Sequence, residues 1–594
     1  MSKIHYQIFP DNTNDHLFSV SLSFTSKVQQ SYQLSLPAWL PGSYMIRDFA
    51  KNIVQICGKN AEGDPLILHK TDKQTWQVNA NDEQVVILYQ VYAFDLSVRS
   101  AYLDEQRGFF NGSSVFLAIE ELKTQPCQLT IHSPEKKPDW RVATGLTRTK
   151  NTEKYSFGEY IAEDYFHLID CPVEMGNFDA FEFIVEGVTH HMIFAGAHFG
   201  DRQRISQDVA KLCQHHIHLF GEAPFKEYWF ITNLVSEGFG GLEHKNSTIL
   251  QASRFDLPNP NKPEELTDNY KTFLSLCSHE YFHAWNVCRI KPKEFVPYDL
   301  QQEVYTTQLW AYEGITSYYD DFSLYRVGII SFEDYLAILS KTITRVYRGD
   351  GELKQSVTES SYYTWTKFYQ QGEDAVNNIV SYYTKGSLIA LWLDLTIREK
   401  SKGQYSLDTL MRELWIHFGR TSIGTQQDDY INIVNILCGE DISEDFLTLL
   451  NIAERVDLAP LLNKVGVDFS PAKFKKINSL DTCVSDEYIV YLGAMYKELP
   501  QGLKITQVVA NSPAAQAGIA VNDVLIAVNS LKVTSQSLQN LADHLPANKQ
   551  VSCHYFRDDQ LMISTLSFCN SPTIAINLTA KNEGLLYQWQ DIIA

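Results

Sequence analysis

The stretch Tyr270-Lys271-Thr272-Phe273-Leu274-Ser275-Leu276-Cys277-Ser278-His279-Glu280-Tyr281-Phe282-His283 decides how the middle of this chain is read. Apolar residues at 270, 273, 274 and 277 make a helical stripe with no Pro or Gly to break it. The helix is expected to end before Pro292. The last five residues of the quoted stretch spell His-Glu-x-x-His. Residues i and i+4 share one face of a helix, so His279 and His283 can offer two imidazole nitrogens to one metal ion. Glu280 then stands beside the metal, where a carboxylate takes a proton from water. With 17 His in 594 residues, chance supplies this pattern roughly 0.03 times in a chain of this length. The pattern points to metal-assisted hydrolysis.

A catalytic zinc usually takes three protein ligands and leaves one position for water. The third candidate is Glu313, in the apolar and aromatic run Leu309-Trp310-Ala311-Tyr312-Glu313-Gly314-Ile315-Thr316-Ser317-Tyr318-Tyr319. A carboxylate in such a run is costly to bury unless it meets a cation, and a metal meets that need. Two His and one carboxylate suit zinc. His190-His191 and His215-His216-His218 lack an i,i+4 pair followed by a carboxylate and read as ordinary surface or core histidines.

Three further segments carry a resemblance. They are Leu36-Pro37-Ala38-Trp39-Leu40-Pro41-Gly42-Ser43-Tyr44-Met45-Ile46-Arg47-Asp48-Phe49, the span from Asp164-Tyr165 to Asp170-Cys171-Pro172-Val173-Glu174-Met175-Gly176, and the Glu-Gly-x-x-x-Tyr segment at Glu313. With the His-Glu-x-x-His motif, they make the chain resemble the PDZ-containing glycyl aminopeptidase family of gluzincin metallopeptidases. The resemblance implies a multidomain α+β chain: an N-terminal β-rich domain, a thermolysin-like, mainly helical catalytic domain and a C-terminal PDZ domain. It also implies one zinc per chain and removal of N-terminal Gly or Ala from peptides with a free N-terminus. Glu313 is preferred over Glu303 as third ligand because its Glu-Gly-x-x-x-Tyr context fits the family.

The same resemblance gives two other segments a role. Gly240-Gly241-Leu242-Glu243 is similar to the Gly-x-x-Glu motif of related aminopeptidases. There the Glu binds the substrate's α-amine, so Glu243 is expected to count from the chain end. Gly240 and Gly241 let a substrate backbone lie close, as at a sheet edge. Tyr382-Tyr383-Thr384-Lys385-Gly386 resembles the Tyr-x-Lys-Gly element whose tyrosine donates to the oxyanion. Tyr383 is the matching position and Tyr382 the fallback. Without the resemblance, either reads as a core tyrosine on the helix continuing into Leu388-Ile389-Ala390-Leu391-Trp392-Leu393.

Length alone asks for several domains, since single cores stop growing near about 250–300 residues. The chain is 44% hydrophobic and 20% charged, as soluble globular chains are. A net charge of −21 argues against nucleic acid, whose binding rests on clustered Lys and Arg. No apolar run is long enough to span a membrane. The first residues lack an apolar secretory segment, and the ten Cys lack a Cys-x-x-Cys pair. They read as reduced core residues of a cytoplasmic protein.

The expected boundaries are 1–175 for the β-rich domain, 176–470 for the catalytic domain, 478–570 for the PDZ domain and 571–594 for a tail. Runs such as Gln84-Val85-Val86-Ile87-Leu88-Tyr89-Gln90-Val91 between turn signals predict a β-sandwich. From about residue 200 the pattern turns helical, as at Leu407-Asp408-Thr409-Leu410-Met411-Arg412-Glu413-Leu414, with Ser406 as N-cap. Tyr491-Leu492-Gly493-Ala494-Met495 and the segments after it look like a PDZ domain, where the loop at Leu492-Gly493 binds a C-terminal carboxylate or serves only for packing. The tail Glu583-Gly584-Leu585-Leu586-Tyr587-Gln588-Trp589 is apolar enough to dock. Two rival readings stay open. One is an endopeptidase on the same scaffold; the other is a PDZ peptide-binding scaffold with a vestigial zinc site.

Overall fold

The computed structural model describes residues 4–27, 30–80, 84–546, 548–581 and 589. They fall into two compact units. The first comprises Met1–Val304 and Trp415–Gly424, the second Tyr305–Leu414 and Thr425–Ala594.

The first unit begins as β-structure, as alternation predicts. The strand Gln84–Tyr92 buries every second residue. It lies between Leu17–Thr25 and Ile53–Lys59 in an eight-stranded sheet, and two four-stranded sheets complete the β-rich region. Buried tyrosines keep their hydroxyls bonded: Tyr6 donates to the Leu117 carbonyl at 2.8 Å and Tyr89 to that of Val115 at 2.9 Å.

A five-stranded sheet follows, in the spatial order Asp179–Val185, Val188–Ala195, Glu227–Val235, Ser247–Ser253, Gly240–Glu243. The helical pattern expected from residue 200 misses its last three strands. Glu227–Val235 has parallel partners on both sides and is buried on both faces. Such strands read as continuous apolar runs, not as alternation. Gly240–Glu243 pairs only with Ser247–Ser253 and forms the sheet's edge. The helices Arg202–Phe220 and Asp268–Phe282 pack on each other and on this sheet.

The second unit holds the helices Ile315–Arg326, Phe332–Tyr347, Thr384–Lys400 and Leu407–Leu414. Ser406 caps the last of these, its Oγ accepting from the Asp408 amide at 3.1 Å. A six-stranded sheet over 494–567 with the helix Ser535–His544 makes the PDZ domain. Strands Val467–Phe474 and Ala575–Ala580 flank it and pair with each other. The span read as a tail therefore contains a strand, fixed to the Phe332–Tyr347 helix by bonds from Ile576 N to Thr344 Oγ1 and Leu578 N to Ser340 Oγ, both 3.0 Å. Beyond it, Trp589 is buried against Phe322 and Tyr335 and donates to the Tyr318 hydroxyl at 3.1 Å. Residues Glu583 to Gln588 of that tail lie outside the described residues.

All ten Cys are free thiols; Cys57 is exposed and Cys483 and Cys569 are half-buried, so three depart from the core reading. Among the described residues no helix is long and apolar enough to cross a membrane.

Candidate active site

The Asp268–Phe282 helix opens with Thr267 capping the Tyr270 amide and carries His279 and Glu280 in its last turn. His283 is its C-cap and keeps right-handed helical dihedrals, so the i,i+4 pairing survives the helix end. The two imidazole rings stand 4.6 Å apart, edge to face. The back of the helix is pinned by buried polar bonds. Tyr281 OH meets His190 Nε2 at 2.8 Å, Ser278 Oγ meets His216 Nε2 at 2.8 Å, and Tyr228 donates to the Glu280 carbonyl at 3.2 Å. The histidines set aside as metal ligands thus act as props. Burial lowers the His190 pKa to about 4, so its ring is neutral.

Glycine backbone lies against the Glu280 and Glu243 carboxylates. A Cβ on Gly241 would come 1.8 Å from Glu280 Oε1, so only Gly lets the edge strand lie over the Glu280 side chain. A Cβ on Gly42, whose φ is +81°, would come 2.4 Å from Glu243 Oε2. The Pro41-Gly42-Ser43 turn therefore sits on the Glu243 carboxylate. Arg99 Nη2 donates to the Gly241 carbonyl at 3.3 Å. Glu243 also borders a cavity of about 600 Å³ with Cys288, Lys291 and Tyr298 in its wall. Burial, and Lys245 close by, pull the Lys291 pKa down to about 8.

In the second unit, Glu313 lies in a π-helical turn, Trp310–Gly314, that leads into Ile315–Arg326. Such turns are rare and often mark functional positions. A Cβ on Gly314 would come 2.5 Å from the Gly386 Cα, and one on Gly386 2.9 Å from the Gly314 Cα. The Glu-Gly and Lys-Gly motifs are thus two halves of one helix crossing. Lys385 is buried, with Nζ donating to the Glu454 carbonyl at 2.7 Å, which makes it an anchor for the helix start. Tyr382 is buried and its hydroxyl meets Thr364 Oγ1 at 2.9 Å. Burial first, then the nearby Tyr369 and Glu313, holds that hydroxyl protonated. Tyr383 is half-buried and stacks on Tyr382 at 4.8 Å.

Among the described residues, the potential metal ligands are His279 and His283 in the first unit and Glu313 in the second. His283 is 1% exposed and Glu313 2%. Glu303, the alternative, is exposed. The donor set fits a zinc ion, since two imidazoles and one carboxylate are a set that leaves the fourth position to water. The His283 tautomer fits too. Its Nδ1 is 2.6 Å from the Asn286 carbonyl, which only accepts, so Nδ1 carries the proton and Nε2 keeps its lone pair for a metal.

Sequence reasoning missed Gly42, Arg99 and Asn286; it read His190 and His216 as surface or core histidines, as their burial bears out, but not the bonds by which they prop the helix. Pro41-Gly42-Ser43 is a turn signal that favours positive φ at Gly42, but nothing in it names Glu243 as the neighbour. Arg99 and the histidines carry no local signal, because their partners lie far along the chain.

Three family profiles match: Peptidase M61 N-terminal domain over residues 5–177, M61 glycyl aminopeptidase over 272–389 and PDZ domain over 504–552. Among solved structures, the aminopeptidase N family protein from Idiomarina loihiensis is 44% identical, with a TM-score of 0.95 over 99% of this chain and 100% of that chain. An M1 zinc metallopeptidase from Deinococcus radiodurans is 11% identical, with a TM-score of 0.48 over 77% of this chain and 95% of that chain. No curated protein matches. The chain belongs to the M61 glycyl aminopeptidase family and is a metallo-aminopeptidase with a PDZ domain.

Proposed function

We propose that the chain removes a small N-terminal residue, Gly or Ala, from peptides by zinc-assisted hydrolysis. The observation that carries this reading is the set of potential metal ligands His279, His283 and Glu313, with Glu280 next to His279 in sequence. These three residues would hold the zinc, which would supply Lewis acidity to a water and to the scissile carbonyl. Glu280 accepts the proton of the attacking water and returns it to the leaving amine. The Tyr383 hydroxyl donates to the developing oxyanion. Glu243 pairs with the substrate's α-ammonium and so fixes cleavage after the first residue. Gly240 and Gly241, on an edge strand, offer backbone groups to a substrate lying alongside.

The small first residue rests on the family's glycyl aminopeptidase description. The cavity bordering Glu243 has room for more than a methyl group, so a panel of aminoacyl anilides tests this part. Highest kcat/KM for Gly and Ala supports it; highest kcat/KM for a large apolar residue contradicts it. Glu280→Gln tests the chemistry. Metal analysis should still find one zinc per chain, while turnover of a glycyl anilide falls by about 10³-fold or more. An active Glu280→Gln enzyme would sink the assignment.

A further inference from the structure

We propose that the peptide groove of the PDZ domain is filled in cis: the hairpin tip Ile477-Asn478 occupies the place of a partner's C-terminal peptide, so the intact chain does not take one. In a PDZ domain, a peptide adds as a strand between an edge strand and a helix. Here the edge strand is Ala494–Leu499, which pairs only with Gly502–Val508, and the helix is Ser535–His544.

The intruding tip comes from the hairpin of Val467–Phe474 with Thr482–Cys483. It is closed by the Lys475 amide on the Asp481 carbonyl at 2.8 Å. An Asn side chain presents one carbonyl and one N–H, as a peptide unit does. Asn478 uses both on one residue of the edge strand. Its Nδ2 donates to the Tyr496 carbonyl at 3.0 Å, and its Oδ1 accepts from the Tyr496 amide at 3.1 Å. These are the groups an added strand would bond. Across the groove, the Ile477 amide donates to Gln539 Oε1 on the helix at 3.2 Å. The Ile477 side chain is 5% exposed and joins one buried cluster with Leu492, Ala494 and Tyr496 on one side and Leu538 and Ala542 on the other. Backbone mimicry and an apolar anchor are the two components of peptide recognition by this fold.

The tip is tethered at both ends, so it competes at an effective concentration of about millimolar. The domain is fastened as well. Asn377 bonds the Val508 carbonyl at 2.9 Å and the Ala510 amide at 2.7 Å, and Arg348 bonds Gln507 at 2.6 Å. The domain is a fixed block of the second unit, with its recognition surface spent on its own chain.

The test uses the full chain and octapeptides ending in free Ile, Val or Leu, labelled at the amine with fluorescein so that they resist aminopeptidase action. Fluorescence polarisation should show no saturable binding to the unaltered chain up to about millimolar protein. The double variant Ile477→Gly, Asn478→Gly should bind at least tenfold more tightly, and amidation of the peptide carboxylate should abolish this. Equal affinity for both chains, or a folded variant that binds nothing, overturns the proposal. Amide hydrogen exchange gives a gentler test. Asn478→Ala should speed exchange at Tyr496 at least tenfold, leaving the Val524–Val528 strand and glycyl-anilide turnover unchanged. Unchanged exchange at Tyr496 overturns it too.

Discussion

Tyr382 and Tyr383 stack face to face, yet their surroundings differ. Tyr382 is buried and its hydroxyl is matched with Thr364; Tyr383 keeps part of its surface accessible. Tyr383→Phe should lower kcat on a glycyl anilide by about 10²–10³-fold and leave thermal stability unchanged. Tyr382→Phe should lose a buried hydrogen bond and about 1 kcal/mol of stability, with kcat nearly unchanged. Steady-state kinetics and thermal melts on the two variants check both outcomes. The two tyrosines could not be separated by residue type alone, since either fits a core helix. Glu313 was easier to read, because a carboxylate in an apolar run asks for a cation. Gly42 was illegible as a site residue, since its reason lies in the shape of the Glu243 carboxylate it touches.

Between elements, the close crossing of Gly314 and Gly386 joins two motifs that look unrelated in the sequence. Gly314→Ala would push backbone against backbone, which no rotamer relieves. It should cost about 1–3 kcal/mol and should lower both metal content and turnover, because Glu313 and Tyr383 flank the crossing. Thermal melts with metal analysis check this. The prop behind the metal-motif helix predicts a pH response. His190 has a pKa of about 4 in the fold against an ordinary 6.5. The unfolded chain therefore binds a proton that the folded chain refuses. The stability this contributes is present above about pH 6.5 and is lost as pH falls toward 4, by up to about 3 kcal/mol. Denaturant unfolding across that range should show the loss, and His190→Gln should flatten it. The Asp268–Phe282 helix was legible because its stripe and motif are local. The strands behind it were not, because parallel strands buried on both faces lose the alternation that marks a strand.

At the scale of the molecule, the β-rich start and the helical middle were legible from a change of hydrophobic period, and the PDZ end from the resemblance of its segments to that domain. What no period could show is that Trp415–Gly424 leaves its helical neighbours and belongs to the first unit. Trp415 there donates to the Glu222 carboxylate at 2.9 Å, a partner far back in the chain. The strand Ala575–Ala580 escaped for the same reason, since it gains its partners from Val467–Phe474 and the Phe332–Tyr347 helix. The central claim is that this molecule counts from the N-terminus of its substrate. It is tested most directly by mass spectrometry on two peptides identical in sequence, both beginning with Gly, one with a free and one with an acetylated amine. The account predicts release of Gly from the free peptide and no cleavage of the acetylated one. Equal cleavage of both, or cleavage at an internal bond, would contradict it.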